Sequence, residues 1–260
     1  MNKTVSVVLL QHGGSEMTHT ALASLVESSL DVVFEELILV DNGTPKAERE
    51  LFEDVRMTRV LLPSNKGYVK GTNAGWRIAR GDYVLLCNND IALSRTCISR
   101  LKRAMDEDLE LGWVSACFQQ GGWKAFATEF PEPILKELDD TSGMIRDGFN
   151  RWSDTLKDAP QLVYHPVSEA TVVMVTREAS DKIGAYWDEL VYNHSHDYGL
   201  RLAAEGYKMA ACHNAVFWHN LNHPTLNKLD PDGKIAEANR ARSDMLMNER
   251  WGDAWTALAA

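Results

Sequence analysis

The sequence has few cysteines, no long apolar run and no excess of positive charge. Its four cysteines are scattered and none forms a Cys-x-x-Cys pair, which argues against a disulfide framework and a zinc knuckle. No apolar run approaches the roughly 20 residues that a membrane-spanning helix needs. The net charge of −10 argues against a nucleic-acid groove and, more weakly, against docking on an anionic membrane.

What remains is the composition of an ordinary globular protein. The chain has 260 residues, enough for one large α/β domain or a domain with a subdomain. The apolar run at 5–10 is too short for a signal peptide and is followed by no small-residue cleavage site, so it is interpreted as a first buried strand. We therefore expect a cytoplasmic protein.

Short apolar runs alternate with helical segments along the first 118 residues. The pattern predicts strands at 5–11, 36–41, 57–62, 82–87 and 112–118, and helices at 18–29, 46–55, 68–80 and 95–107. Such alternation builds a mostly parallel central sheet flanked by helices, so the predicted fold class is α/β.

The second half of the chain is less regular. An insertion with one or two helices is predicted at about 119–165. The pattern then predicts a strand at 169–176, a turn at Gly184, a helix at 197–205 that ends at Gly206, and a strand region at 207–218. We expect one domain over 1–229 and a helical C-terminal tail over 230–260, which packs on the body or on a second subunit.

Two predicted strands end in residues suited to a nucleotide. Gln11 ends the first strand, and Asp41 ends the second before Asn42 and Gly43, which allow a sharp turn. The Asp41 carboxylate could accept a hydrogen bond from the imide N–H of uracil or thymine, or from ribose hydroxyls. A plain turn is the alternative interpretation.

Glycines and asparagines surround the start of the helix predicted at 68–80. Asn65 and Gly67 precede it, and Asn73 lies between Gly71 and Gly75. Glycines let backbone N–H groups approach a ligand, and helix N-termini favour phosphate. Ordinary loop and helix-packing roles for these glycines stay open.

A polar cluster at 88–90 follows a strand of apolar residues. Asn88 and Asp90 are two residues apart and can point the same way, with Asn89 between them. One carboxylate and one amide oxygen suit a hard divalent cation that also binds a diphosphate. His219, after the apolar run at 216–218, is a candidate further ligand. An Asx turn or a helix N-cap near Ser94 is the alternative.

A second polar cluster, at 193–197, contains two histidines and an acid. His194, His196 and Asp197 make a plausible general-base site. Asp197 also stands at a predicted helix start, where capping alone would explain it.

In their order along the chain, these motifs resemble the family-2 glycosyltransferases of the GT-A fold, especially the rhamnosyl- and galactofuranosyl-transferase-like branch. The matching segments are Val5–Leu10, Val40–Thr44, Asn65–Gly67, Gly71–Gly75, Gly81–Leu86, Asn88–Asp90, Asp197–Leu202, Gly206–Lys208 and Val216–His219. The resemblance implies an inverting, metal-dependent transfer of a sugar from a nucleoside-diphosphate donor, UDP- or dTDP-linked, to a hydroxyl of a glycan, lipid-linked or other acceptor.

The resemblance also implies roles for single residues. Asp41 would contact the nucleobase, while Asn88, Asp90 and His219 would hold Mn²⁺ or Mg²⁺ with the donor diphosphate. The remaining expected donor-site residues are Gln11, Asn65, Gly67, Asn73 and Asn89.

One departure from the family pattern concerns the general base. The family commonly has two acids shortly before the helix start, and here those positions hold His194 and Ser195. Asp197 or His196 could serve instead, or the enzyme could be slow or inactive.

Two other functions compete with sugar transfer. A nucleotidyltransferase of similar fold would carry a basic Gly-rich loop after the first strand, but the segment at 11–16 has no arginine or lysine. A non-catalytic sugar-nucleotide-binding protein is favoured only by the missing acids.

Overall fold

The computed structural model describes residues 3–46, 56–119, 150, 153–165, 171–219, 230 and 232–259. The strands in these ranges are β1 (Val5–Gln11), β2 (Phe34–Asp41), β3 (Thr58–Leu61), β4 (Tyr83–Asn88), β5 (Ile91–Leu93), β6 (Leu111–Gln119), β7 (Leu162–Tyr164), β8 (Val172–Thr176) and β9 (Lys208–His219). The helices are α1 (Ser15–Ser28), α2 (Gly67–Trp76), α3 (Cys97–Glu107), α4 (Arg177–Ile183), α5 (His194–Ala204), α6 (Lys234–Trp251) and α7 (Asp253–Ala259).

The strands form one mixed sheet in the order β3-β2-β1-β4-β8-β6-β9-β5, and β7 pairs with β9. Strands β3, β2, β1 and β4 are mutually parallel, as are β6 and β9. Strand β8 is antiparallel to both its neighbours, and β5 and β7 are antiparallel to β9. The parallel half therefore brings the carboxyl ends of β1, β2 and β4 to one edge.

Helices cover both faces of the sheet, which explains why β1 is buried along its whole length. Apolar residues of α1 and α3 pack on one face, and those of α2, α4 and α5 pack on the other. Gly75 lets α2 lie directly on the strands, because a Cβ there would stand 2.5 Å from Val8 Cγ1. The predicted α/β class, with a central sheet flanked by helices, is confirmed.

Most predicted elements in the described ranges are found within a few residues of their predicted ends. One prediction needs correction, because the helix predicted at 68–80 ends at Trp76. Strand β5 lies at Ile91–Leu93, where no element is predicted from the sequence. Strand β5 has three residues and pairs with β9, more than 120 residues away, so no local pattern indicates it. The helix predicted at 46–55 and most of the insertion lie outside the described residues.

The predicted helical tail is found as α6, followed by α7, and it packs on the body. Met247 and Trp255 are buried against Leu190 in a small apolar cluster. None of the helices in the described ranges is long and apolar enough to cross a membrane. The division of the chain at residue 229 stays a prediction.

Candidate active site

Three polar residues meet where parallel strands end. In the register of the sheet, Gln11 of β1 pairs with Asp41 of β2. Leu10, the residue before Gln11, pairs with Asn88 of β4. The carboxyl ends of parallel strands are where open α/β sheets bind ligands. The sheet thus brings together three of the residues that the sequence marked as donor or metal ligands.

Gln11 and Asp41 form the buried floor of this edge and are 1% and 2% exposed. The Asp41 Oδ1 atom accepts from the backbone N–H of Thr44 at 2.6 Å, and Gln11 Nε2 donates to Thr44 Oγ1 at 3.3 Å. The remaining Gln11 oxygen, Oε1, has no hydrogen-bond partner among the residues that the structure describes. Most buried acceptors in folded proteins are hydrogen-bonded, so this oxygen is available to a donor group of a ligand.

A loop beside this floor is held by Asn42, a residue that the sequence analysis interpreted only as part of a turn. Its Oδ1 accepts from Lys66 N at 2.8 Å, and its Nδ2 donates to Asn65 Oδ1 at 3.0 Å. Asn65 Oδ1 also accepts from Gly67 N at 2.8 Å. In this structure Asn65 shapes the loop, and a contact of Asn65 or Gly67 with a nucleotide stays a prediction.

Asn73 is fully buried in α2 and connects that helix to the loop before α5. Its Nδ2 donates to Tyr186 O at 2.8 Å and to Asp188 Oδ1 at 2.7 Å, and its Oδ1 accepts from Tyr186 N. Although burial opposes it, hydrogen bonds from Asn73 and Arg77 lower the pKa of Asp188. These contacts use the Asn73 side chain to hold α2 against the loop before α5. A direct contact of Asn73 with the donor stays a prediction.

Asp90 and His219 lie side by side just after the end of β4, where Asn88 is located. Pairing of β5 with β9 sets Ile91 opposite His219, and Asp90 Oδ2 lies 3.4 Å from His219 Nε2. Asn88 Oδ1 is buried and has no hydrogen-bond partner within the described ranges. No group of three His, Cys, Asp or Glu side chains suited to a metal occurs in those ranges. A cation that takes most of its ligands from phosphate and water needs only a few protein ligands, such as Asn88, Asp90 and His219.

Asn89 makes its hydrogen bonds within the fold. Its Nδ2 donates to Gly13 O and to Thr18 Oγ1, both at 2.9 Å, which ties the end of β4 to the loop between β1 and α1. Its expected contact with the donor stays a prediction.

Asp197, expected from the sequence as the general base, is completely buried. Arg201 Nε binds its Oδ2 at 2.8 Å, while Arg250 Nη1 and Trp251 Nε1 lie 3.3 Å and 3.0 Å from its Oδ1. A carboxylate with two guanidinium partners and no exposed surface is poorly placed to accept a proton from an acceptor. The contacts favour a structural role for Asp197, and its role as the general base stays a prediction.

His196 is the better placed of the two candidate bases. It is partly exposed, and its ring packs edge-on against Trp255 of α7 with 5.2 Å between ring centroids. Burial lowers the pKa of His196 below its usual 6.5, so the imidazole is neutral and able to accept a proton near pH 7.

His194 connects the start of α5 to the start of α2. Its ring lies 5.0 Å from the Tyr68 ring at the start of α2 and 4.8 Å from the Tyr186 ring. Burial lowers the pKa of His194 to about 4. The start of α5 thus lies beside the start of α2, adjacent to the loop that Asn42 holds.

Comparisons with known proteins bear on the fold and the family. The uncharacterized glycosyltransferase EpsJ of Bacillus subtilis (strain 168) is 27% identical over 108 residues, which cover 40% of this chain and 31% of EpsJ. The structure is similar to that of mannosyltransferase PcManGT from Pyrobaculum calidifontis, solved with GDP-Man and Mn²⁺, at a TM-score of 0.62 and 14% identity over 88% of this chain and 60% of that one. It is also similar to GalNAc-T7, solved with UDP, GalNAc and Mn²⁺, at a TM-score of 0.60 and 11% identity over 84% of this chain and 44% of that one.

The chain spans less than two thirds of each of these relatives. At such low identity the solved structures establish the fold, and the GT-A fold expected from the motifs is confirmed. The family model described as glycosyl transferase family 2 matches residues 6–156, more than half of the chain. The protein therefore belongs to glycosyl transferase family 2.

Proposed function

We propose that this protein transfers a sugar from a nucleoside-diphosphate donor to an acceptor hydroxyl with inversion at the anomeric carbon. The observation that carries the proposal is the edge where Gln11 Oε1 and Asn88 Oδ1 are buried acceptors without partners among the described residues, beside Asp41 and the Asp90–His219 pair. A nucleobase and a metal-bound diphosphate would supply the donors and the cation that these oxygens lack.

The residues present fit a divalent cation. Asn88, Asp90 and His219 would hold Mn²⁺ or Mg²⁺, leaving the other positions for diphosphate oxygens and water. When bound, the cation would stabilise the negative charge that develops on the departing nucleoside diphosphate. Mn²⁺ accompanies the nucleotide in the solved PcManGT and GalNAc-T7 complexes, which supports this assignment.

The proposed donor carries UDP or dTDP. A carboxylate at Asp41 suits the imide N–H that uracil and thymine share, and its position on the floor of the edge would exclude water from that contact. GDP is the competing nucleotide, because guanine also presents N–H donors to a carboxylate.

In the proposed chemical step His196 is the general base, which its partial exposure and neutral imidazole support. The acceptor oxygen attacks the anomeric carbon and loses its proton to the neutral His196 imidazole, while the bond from that carbon to the diphosphate oxygen breaks. The diphosphate leaves with the bonding electron pair, and the transition state has oxocarbenium character. Attack from the face opposite the leaving group inverts the anomeric configuration.

Metal-dependent nucleotide binding tests the donor site. We expect UDP, dTDP or GDP to raise the melting temperature more with Mn²⁺ than with EDTA, because a ligand of the folded state stabilises it. Asp90→Asn should remove the metal-dependent part and leave the melting temperature of the free protein nearly unchanged. Equal stabilisation with and without the cation would overturn the metal assignment.

A separate experiment distinguishes an enzyme from a sugar-nucleotide-binding protein. In donor hydrolysis, where water replaces the acceptor, His196→Ala should lower kcat by about 10²-fold with nearly unchanged donor affinity. His213→Ala, an exposed histidine on β9, is the matched control. Nucleotide binding without any turnover of the tested donors would favour the non-catalytic alternative.

A further inference from the structure

The C-terminal helices α6 and α7 contact the segment that leads into α5, where His196 is located. All three helices lie beyond residues 6–156, which the family model matches. Ser243 Oγ accepts from the backbone N–H groups of Tyr192 and Val191 at 3.1 Å and 3.4 Å. Asp244 Oδ1 accepts from Asn193 Nδ2 at 2.6 Å.

Asn193 is the unusual residue in this segment. Among the described residues it is the only non-glycine with a positive φ, which is 61°. It forms the N-cap of α5, and its carbonyl accepts the first helical hydrogen bond, from Asp197 N at 3.0 Å. Asparagine adopts the left-handed conformation more readily than most residues with a Cβ, but extended and right-handed conformations are open to it as well, so side-chain contacts can decide between them. Asp244 supplies such a contact from outside the loop.

The conformation of Asn193 sets the direction of the first turn of α5. His196 lies three residues further on, and its ring rests against Trp255 of α7. A different φ at Asn193 would rotate this turn and move His196 away from its present position. Asn193 and His196 therefore both depend on contacts with the C-terminal helices.

We propose that Asp244 is a positioning residue for sugar transfer: it holds Asn193 in the left-handed conformation that directs His196 towards the acceptor. The proposal rests on the proposed function, since His196 is the base assigned there. Through Asp244, the C-terminal helix pair becomes part of the acceptor side of the site.

The experiment compares Asp244→Ala with Asp244→Asn, whose amide oxygen can still accept from Asn193. We expect Asp244→Ala to lower kcat for donor hydrolysis by about tenfold to a hundredfold, because small displacements of a catalytic group have such costs. Donor KM and metal-dependent nucleotide binding should stay at wild-type values, and Asp244→Asn should restore most of kcat. Glu249→Ala, at an exposed position of α6, is the control and should behave as wild type.

A glycine at position 193 separates positioning from general stability. Glycine adopts positive φ without strain, so Asp244→Ala should cost little further kcat when combined with Asn193→Gly. An equal loss in both backgrounds, or an unchanged kcat in Asp244→Ala with an active wild type, would overturn the positioning role alone. A wild-type protein that binds and hydrolyses no nucleoside-diphosphate sugar would overturn the proposed function and this role together.

Discussion

Replacing Asp197 by alanine should destabilise the protein by breaking the contact between α5 and α6. The carboxylate is 0% exposed and accepts from Arg201 at 2.8 Å and from Trp251 at 3.0 Å, with Arg250 at 3.3 Å. Alanine leaves these donors facing a small apolar side chain. The largest cost falls on Arg201, whose side chain is only 12% exposed.

The expected loss is about 3 kcal/mol of unfolding free energy. Removing one partner of a buried ion pair typically costs about 3–5 kcal/mol. The lower end applies because Arg201 keeps the carbonyl groups of Ile183 and Ala185 as acceptors at 2.6 Å and 3.0 Å. Arg250, with a side chain 36% exposed, can regain water. A loss of this size corresponds to a drop of roughly 6–12 °C in melting temperature for a chain of this length.

Urea unfolding followed by circular dichroism measures this loss in Asp197→Ala and Asp197→Asn, with Glu249→Ala as the exposed control. The asparagine variant keeps the shape and one acceptor oxygen, so we expect it to lose about 1–2 kcal/mol. Its donor hydrolysis at low temperature, where it is folded, should stay within a few-fold of wild type. Wild-type stability of Asp197→Asn together with a roughly hundredfold lower kcat would refute the structural role and restore Asp197 as the base.

Three further predictions follow from other parts of the site. His219→Ala should weaken the Mn²⁺-dependent stabilisation by nucleotide in a thermal-shift assay, whereas His213→Ala on the same strand should leave it unchanged. Because burial lowers the pKa of His194 to about 4, protons bind the unfolded chain first, and stability that is complete well above pH 6.5 should fall as the pH drops towards 4. That fall should reach about 1.4 kcal/mol near pH 5.5 in urea titrations, and His194→Gln should reduce it. Gly43→Ala should lower both the melting temperature and nucleotide affinity, since φ is +86° there and a Cβ would stand 2.6 Å from Asn65 N; unchanged affinity would show that the loop of Asn65 does not contribute to the donor site.

The strand ends could be predicted from sequence because they depend on local pattern. Apolar runs that end in Gln11, Asp41 and Asn88 indicate buried parallel strands, and parallel strands share one edge. The register of the sheet then places these residues next to one another, whatever side chains pack around them.

The role of Asp197 could not be predicted in the same way. An acid at a helix start is equally consistent with a cap, a base and an ion pair, and the choice depends on partners more than fifty residues away. Trp251 and Arg250 become its neighbours only through the packing of α6 on the body. The partners of Asn73 cannot be anticipated for the same reason, because its amide bonds to the distant loop at Tyr186.

Proton NMR of a nucleoside-diphosphate sugar incubated with the protein and Mn²⁺ tests the central claim most directly. A panel of UDP-, dTDP- and GDP-linked sugars would be followed for release of the free nucleoside diphosphate and for the first anomeric signal of the released sugar. We predict release from at least one donor, with an inverted anomeric configuration, and its loss in Asp90→Asn and in EDTA. Intact donors throughout, with no binding of any of the nucleoside diphosphates in the presence of Mn²⁺, would contradict the account.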